Sequence, residues 1–418
     1  SERSSTENSS SRTRARPAPN PVMLFSIRGL LGASGQQVKP PARILSAMVR
    51  PPMVWHKRLE LWAKLALALV ASALLWRPGR RRTPGTPLPS PRRVLLVRID
   101  NRVGEALLTT PLLTTLKAAP QPPEVHVLVH SKVARVIAGH PEADRIIPFD
   151  RRRLWLGALA PGIRALRRER YDVVVDCSNW STPSVTSALI SRLVGPRAIV
   201  IGPHQWPVRY LHSISVPARS DTTREVLQRV HLLSPLVPGA PRESMSFRTP
   251  HVSDSFRSWL EAGSGSPRAV VNPGGRLGWR RIPPEAFAAA ARALVASGRT
   301  PIVTRGPGEE ELARSVVASA PGSQLAPPTN IDELAALMRS AGLTVCNNTG
   351  PMHLSVAVGA PTLGLFFRMD MARWGHPLPP HRMVDLTPVV DSGGDLPERV
   401  FEEVSAFAQG LTTRNSGS

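Results

Sequence analysis

Cysteine is nearly absent: the 418 residues contain two, Cys177 and Cys346. Two thiols cannot build a disulfide scaffold or a thiolate zinc cluster. Each ends an apolar run, which reads as a plain buried residue of a reducing compartment. Acidic residues are also scarce, 30 Asp and Glu against 53 Lys and Arg. The chain has no G-x-x-x-x-G-K-[ST] phosphate loop, and no G-x-G-x-x-G follows a strand and opens a helix. That argues against a P-loop NTPase and against a nicotinamide dehydrogenase. Helix-turn-helix, zinc-finger and aromatic RNA-binding signatures are missing too, so the basic balance does not read as nucleic-acid binding. The hydrophobic fraction, 42%, excludes a wholly disordered chain and a polytopic membrane protein. The length allows two or three domains.

The positive excess is concentrated at one end. Residues 1–93 carry 17 Lys and Arg against 3 Glu, a net +14, and the rest of the chain carries +9. A basic tail fits an anionic surface, nucleic acid or the cytoplasmic leaflet. Residues 1–47, rich in Ser, Arg and Pro and without a period, are expected to be a disordered tail. Met48 or Met53 would serve as initiators. Residues 48–91 hold an apolar and basic helix and then a Pro-rich linker, TPGTPLPSP.

The stretch Leu59 to Trp76 would extend about 27 Å as a helix, near the lower limit for crossing a bilayer. Lys57, Glu60 and Lys64 share one face at its start, Trp55, Trp62 and Trp76 are interface-type aromatics, and Arg77 and Arg80–Arg82 follow. The segment reads first as an interfacial or membrane-dipping helix. A full span and a helix packed on the protein itself are the other settings that fit. No small-residue cleavage site precedes the basic cluster, which argues against a secretory signal. The expected location is cytoplasmic, peripheral on the inner face of the cytoplasmic membrane.

From Arg92 onward, apolar strands alternate with helices, the pattern of an α/β protein with parallel sheets. Strands are expected at 94–99, 125–129, 144–149, 171–177 and 198–202, and helices at 106–119, 131–139, 185–194 and 221–236. A Pro-, Ser- and Gly-rich stretch, 241–267, is expected to link residues 92–240 to a second α/β domain, 268–418. Two such halves facing a cleft place ligand at the C-terminal ends of their strands.

Three loops at predicted strand ends carry chemistry. In Arg98-Ile-Asp-Asn-Arg-Val-Gly-Glu105, Gly104 allows a tight turn and Glu105 opens a helix, either as a carboxylate aimed into the cleft or as a plain helix-start charge. In Asn272-Pro-Gly-Gly-Arg-Leu-Gly-Trp-Arg-Arg281, glycines let the backbone approach a ligand and arginines can grip phosphate, although a solvated basic loop would look the same. In Cys346-Asn-Asn-Thr-Gly-Pro-Met-His353, a strand runs into a helix start that suits an anion, with Thr349 and His353 on its flank; simple turn chemistry is the alternative.

Four blocks, RVLLVRIDNRVGEALLTTPLL, VVNPGGRLGWRRIPPEAF, VTRGPGEEELA and CNNTGPMHLSVAVGAPTLGLF, with a following RWG, resemble glycosyltransferase family 9, the lipopolysaccharide heptosyltransferase family. The resemblance covers roughly 92–410. It implies a GT-B architecture, two Rossmann-like domains facing a cleft, the first for the acceptor and the second for the nucleotide-sugar donor. It implies inverting transfer of a sugar, typically heptose from ADP-heptose, onto a lipid-linked glycan of the lipopolysaccharide core, with neither metal nor cofactor. Glu105 stands where the family carries its basic carboxylate, usually Asp. Asp100, Arg102 and Gly104 form the acceptor-side loop around it. Arg280, with Arg281 beside it, matches the donor-phosphate residue, Glu309 the ribose contact, and Thr349, Gly350 and His353 the diphosphate site. Asn348 replaces the family's usual Asp. In the donor-side loop Phe367-Arg-Met-Asp-Met371, Asp370 is kept while the usual Gly, Pro and Thr are gone. A degenerate member that binds nucleotide sugar without catalysis is the alternative.

Overall fold

The computed structural model describes residues 88–150, 159–181, 184–220, 223–238, 242–263 and 266–415, together with Trp62, Ala63, Ala66 and Val70. The tail 1–47 lies outside the described residues, as does all but those four positions of the 54–76 segment. Trp62 and Val70 have helical backbone and are exposed. Among the described residues, no helix is long and apolar enough to cross a membrane.

Two six-stranded sheets form the body, and every strand pair within them is parallel. The first contains β1 (Arg93–Arg98), β2 (Glu124–His130), β3 (Arg145–Phe149), β4 (Val173–Asp176), β5 (Ile199–Pro203) and β6 (Ile214–Val216), in the order β3-β2-β1-β4-β5-β6. The second contains β7 (Arg268–Asn272), β8 (Thr300–Val303), β9 (Gln324–Leu325), β10 (Thr344–Asn347), β11 (Thr362–Phe366) and β12 (Arg382–Asp385), in the order β12-β11-β10-β7-β8-β9. The central strands are continuous apolar runs, VLLV in β1 and AVV in β7, because helices cover both faces of a parallel sheet. The strand order reverses between β1 and β4 in one sheet and between β10 and β7 in the other. A crevice opens at the carboxyl ends of strands at such switch points.

Where elements differ from expectation, the cause is local. The helix expected at 106–119 is two helices, Val103–Leu107 and Thr110–Lys117. Pro111 has no N–H and its ring excludes the carbonyl of residue 107 from a helical bond. That carbonyl accepts the Thr110 hydroxyl instead, at 2.8 Å. The stretch 131–139 holds a short 3₁₀ turn and the helix Ala134–Ile137, and 221–236 holds the helix Glu225–His231. Three unexpected strands, β6, β9 and β12, are short sheet edges with one neighbour each.

The stretch expected as a linker contains a helix, Asp254–Ala262, whose Ser253 accepts the Phe256 amide as a cap. Residues just before it join the two halves. The Ser246 amide donates to Thr110 Oγ1 at 3.1 Å, the Phe247 amide to the Ala357 carbonyl at 3.1 Å, and Arg248 pairs with Asp332 at 2.6 Å. Met245, Phe247 and Phe256 are buried in one apolar cluster that runs from Val94 and Leu112 of the first half to Val270, Leu337 and Leu354 of the second. The final helix, Leu396–Asn415, packs Val400, Val404 and Ala408 against the alanine-rich helix Pro284–Ala296.

Candidate functional site

A cleft of about 810 Å³ lies between the two sheets, lined by residues from both switch points. On the first side stand Arg98 to Glu105 and the serines and Asn179 that follow β4. On the second stand Gly275, Arg276, Arg280, Arg281, Asn348 to Gly350, His353, Met369 and Trp374.

The centre of the first side is Glu105, 4% exposed. Its Oε2 accepts from Arg98 Nη2 at 2.5 Å and from Arg229 Nη2. Its Oε1 faces Arg102 Nη2 at 3.0 Å and Asn179 Nδ2 at 3.2 Å. Burial alone would push this carboxyl up. The guanidinium groups of Arg229, Arg98 and Arg102, with the Asn179 amide, outweigh burial and hold it well below the usual carboxylate range. The two oxygens differ: Oε2 is locked by two arginines that are each 1% exposed, whereas the Arg102 partner of Oε1 is half open to solvent. Asp100 shares the same arginines, 2.9 Å from Arg98 and 3.2 Å from Arg102. Asn179 is held in a turn anchored on Asp176, which accepts the Ser178 amide and the Ser187 hydroxyl.

On the second side the loop after β7 is tied down from three directions. Asn347 Nδ2 donates to the carbonyls of Pro273 at 2.8 Å and Gly274 at 3.2 Å. Glu309 accepts the amides of Gly275 and Gly306, each at 2.8 Å. Arg281 donates to the Gly275 carbonyl and reaches Glu309 at 3.3 Å. Glu309 therefore does not line the cleft; its carboxylate joins two glycine loops. Arg280 does line it, with its guanidinium 4.4 Å from the Trp279 ring centre.

The helix Gly350–Ala357 begins at Thr349 with Pro351 in its first turn. Asn348, Thr349 and Gly350 line the cleft, so the positive end of the helix dipole faces it. One turn in, His353 is 5% exposed and its Nδ1 lies 2.8 Å from His376 Nε2. Burial pushes His353 down to about 4, so it is neutral at pH 7. Asp370 caps the short helix Met371–Trp374 by accepting the Arg373 amide at 2.9 Å, and it too stands outside the lining. Among the described residues no three His, Cys, Asp or Glu side chains are grouped as metal ligands.

The structure thus brings Asp100, Arg102, Gly104, Glu105, Arg280, Arg281, Asn348, Thr349, Gly350 and His353 to one cleft. Asn179 joins this lining, and Arg229, Asn347 and His376 stand behind it; none of the four is singled out by the sequence. Asn347 carries a signal, an amide at the buried end of the strand TVCN. Arg229 lies 124 positions from Glu105 inside the helix Glu225–His231, where nothing in the sequence separates it from a surface arginine.

Two parallel-sheet domains with a polar cleft at their switch points are the arrangement of a nucleotide-sugar transferase fold, and the comparisons agree. The family model of Glycosyltransferase family 9 (heptosyltransferase) matches residues 162–387, more than half of the sequence. The chain belongs to this family and is a glycosyltransferase. It is 25% identical over 290 residues to lipopolysaccharide heptosyltransferase 3 of Escherichia coli, covering 65% of this chain and 82% of that protein. The fold is similar to a family 9 glycosyltransferase from Veillonella parvula, with a TM-score of 0.66 and 18% identity over 77% of this chain and 97% of that one. It is also similar to the E. coli heptosyltransferase WaaC with ADP, with a TM-score of 0.60 and 20% identity over 76% and 99% of the two chains.

Proposed function

We propose that the protein transfers a heptose, with inversion and without a metal, from ADP-heptose to a lipid-linked glycan of the lipopolysaccharide-core type at the inner face of the cytoplasmic membrane. The observation that carries this reading is the facing of Glu105 and the 349–350 helix start across one cleft. ADP-bound and ADP-heptose-analogue-bound neighbours of the same fold support the choice of donor.

In this reading the diphosphate sits at the N-terminus of the Gly350–Ala357 helix, with Arg280 beside it. Backbone N–H groups, the dipole and a guanidinium meet the charge that develops as the C1–O bond breaks. His353, neutral, contributes a hydrogen bond rather than a charge. The acceptor hydroxyl approaches C1 from the Glu105 side and displaces Arg102 from Oε1. A carboxylate of low basicity suffices, because the attacking oxygen becomes strongly acidic once it bonds to C1. Glu105 orients the hydroxyl and takes its proton late in the step. Arg98 and Arg229 keep Oε2 fixed, so Oε1 stays aimed. Glu309 acts behind the donor and Arg281 at the wall of its pocket, together holding the glycine loops that shape it.

Thermal-shift screening against ADP, GDP, UDP and CMP tests the donor, since a ligand of the native state raises its melting temperature. ADP should give the largest shift, and transfer from ADP-heptose to a lipid-linked core acceptor should persist in EDTA. A larger shift with another nucleotide, or a loss of transfer in EDTA that a divalent metal restores, would refute the reading. For the membrane, deletion of residues 1–82 should abolish pelleting with anionic vesicles while ADP still binds. Unchanged pelleting would place the attachment elsewhere.

A further inference from the structure

A line of charge, buried from Arg98 as far as Glu225, runs from the first half to the second beside the cleft. Arg229 divides its Nη2 between Glu105 Oε2, Asn179 Oδ1 and Glu225 Oε1, the last at 3.1 Å. Glu225, 1% exposed, turns its other oxygen to the second half of the molecule, where Oε2 accepts from Arg373 Nε at 2.9 Å and Nη2 at 2.8 Å. Arg373 belongs to the helix Met371–Trp374, and Met369 and Trp374 on either side of it line the cleft. The sequence Arg98–Glu105–Arg229–Glu225–Arg373 is therefore continuous. It starts at the end of β1 and finishes in the short helix that continues the donor-side loop.

We propose that Arg373 is a positioning residue for transfer: through Glu225 and Arg229 it makes the setting of the Glu105 carboxylate depend on the conformation of residues 367–374, the donor-side loop 367–371 together with the helix Met371–Trp374 that continues it. The proposal rests on Glu105 being the acceptor-side base. Its physical ground is that a buried charge must be neutralised locally. With Arg373 in place, Glu225 shares its charge between two guanidinium groups and Arg229 remains on Glu105. When the loop withdraws Arg373, Glu225 keeps only Arg229 and draws it in, and Oε2 of Glu105 is left to Arg98. Arg373 thereby links the half that holds the leaving group to the half that holds the base, and Glu105 is fully held only when the loop is seated.

Hydrogen exchange of the full-length protein tests this without any substrate. Arg373→Gln should raise exchange in two places, residues 367–374 and the helix 103–107 on the opposite side of the cleft. Glu225→Gln removes the charge that competes for Arg229, so it should leave 103–107 near wild-type exchange and should cancel the Arg373→Gln effect there in the double variant. In transfer assays, Arg373→Gln should lower kcat roughly tenfold, leave the ADP dissociation constant within about twofold, and be partly rescued by Arg373→Lys. Unchanged exchange at 103–107 in Arg373→Gln, or a double variant that exchanges there as fast as Arg373→Gln alone, would overturn the proposal. So would a loss confined to ADP affinity, which would make Arg373 a donor ligand. If the wild-type protein transfers no heptose, the functional reading fails alone, and the exchange experiment still decides the coupling.

Discussion

His353 lies against Gly104 across the cleft so closely that a Cβ on residue 104 would stand 2.5 Å from the imidazole Cδ2. The contact joins the two helix starts that flank the site, since Gly350 likewise meets Val103. A side chain at 104 would force the halves apart or push His353 off His376. Gly104→Ala should therefore cost about 1–3 kcal/mol of stability and depress transfer. In urea unfolding, the double variant Gly104→Ala/His353→Ala should lose less than the sum of the single changes. Additive losses would show that the close approach carries no strain.

The role proposed for Glu105 predicts that Glu105→Gln abolishes transfer, because removing a general base typically costs about 10²–10⁴ in rate. The burial of Arg98 and Arg229 adds a second effect. Each loses one of two carboxylate partners, Arg98 keeping Asp100 and Arg229 keeping Glu225, so the cost stays below the about 3–5 kcal/mol of a fully broken buried pair. The variant should melt at a lower temperature yet still bind ADP by calorimetry. Near-native turnover would move the base to Asp100, which shares the same two arginines, Arg98 and Arg102.

Arg280→Ala should weaken ADP more than adenosine, by about 1.5–3 kcal/mol for a lost charge-assisted contact. Calorimetry with both ligands separates a phosphate role from a general one. Equal losses would point to Arg276, which lines the same wall.

The buried imidazole of His353, pushed down to about 4 by burial, binds its proton less readily in the folded chain than in the unfolded one. The unfolded state then takes up more protons below its own pKa, near 6.5, so this contribution to stability is present above that pH and is lost as the pH falls through 6.5 towards 4. His376 is shifted the same way, first by burial and then by His353, and adds to the slope. Chemical denaturation between pH 7 and pH 4 should show falling stability, and His353→Gln should flatten the curve. An unchanged slope in that variant would assign the loss to other groups.

Much of this was legible in the sequence, for physical reasons. β1 and β7 are buried on both faces and read as apolar runs, VLLV and AVV, β10 keeps Val345 and Cys346 between buried polar ends, and the loops that follow the three carry the glycines, arginines and Thr349-Gly350 of the site. The edge strands β6, β9 and β12 were not legible, because two to four residues with one neighbour leave little pattern. The sequence shows Glu309 after the Gly306-Pro-Gly308 turn, but the direction of its carboxylate depends on the amides of Gly275 and Gly306, which only folding brings near it. The surroundings of Glu105 were the least legible. Asn179 and Arg229 come from distant parts of the chain, and a sequence shows arginines without showing which are buried.

The stitching of residues 245–248 to both halves bears on how such enzymes can be recombined. Met245, Phe247 and Phe256 fill one apolar cluster shared by both sheets, so one face of each sheet is closed in part by residues of the other half. A chimaera that joins the first half of this chain to the second half of a relative must carry the whole seam from one parent. A junction inside 245–256 would leave apolar surface from each parent facing a stranger, and the product should aggregate even with both catalytic loops intact.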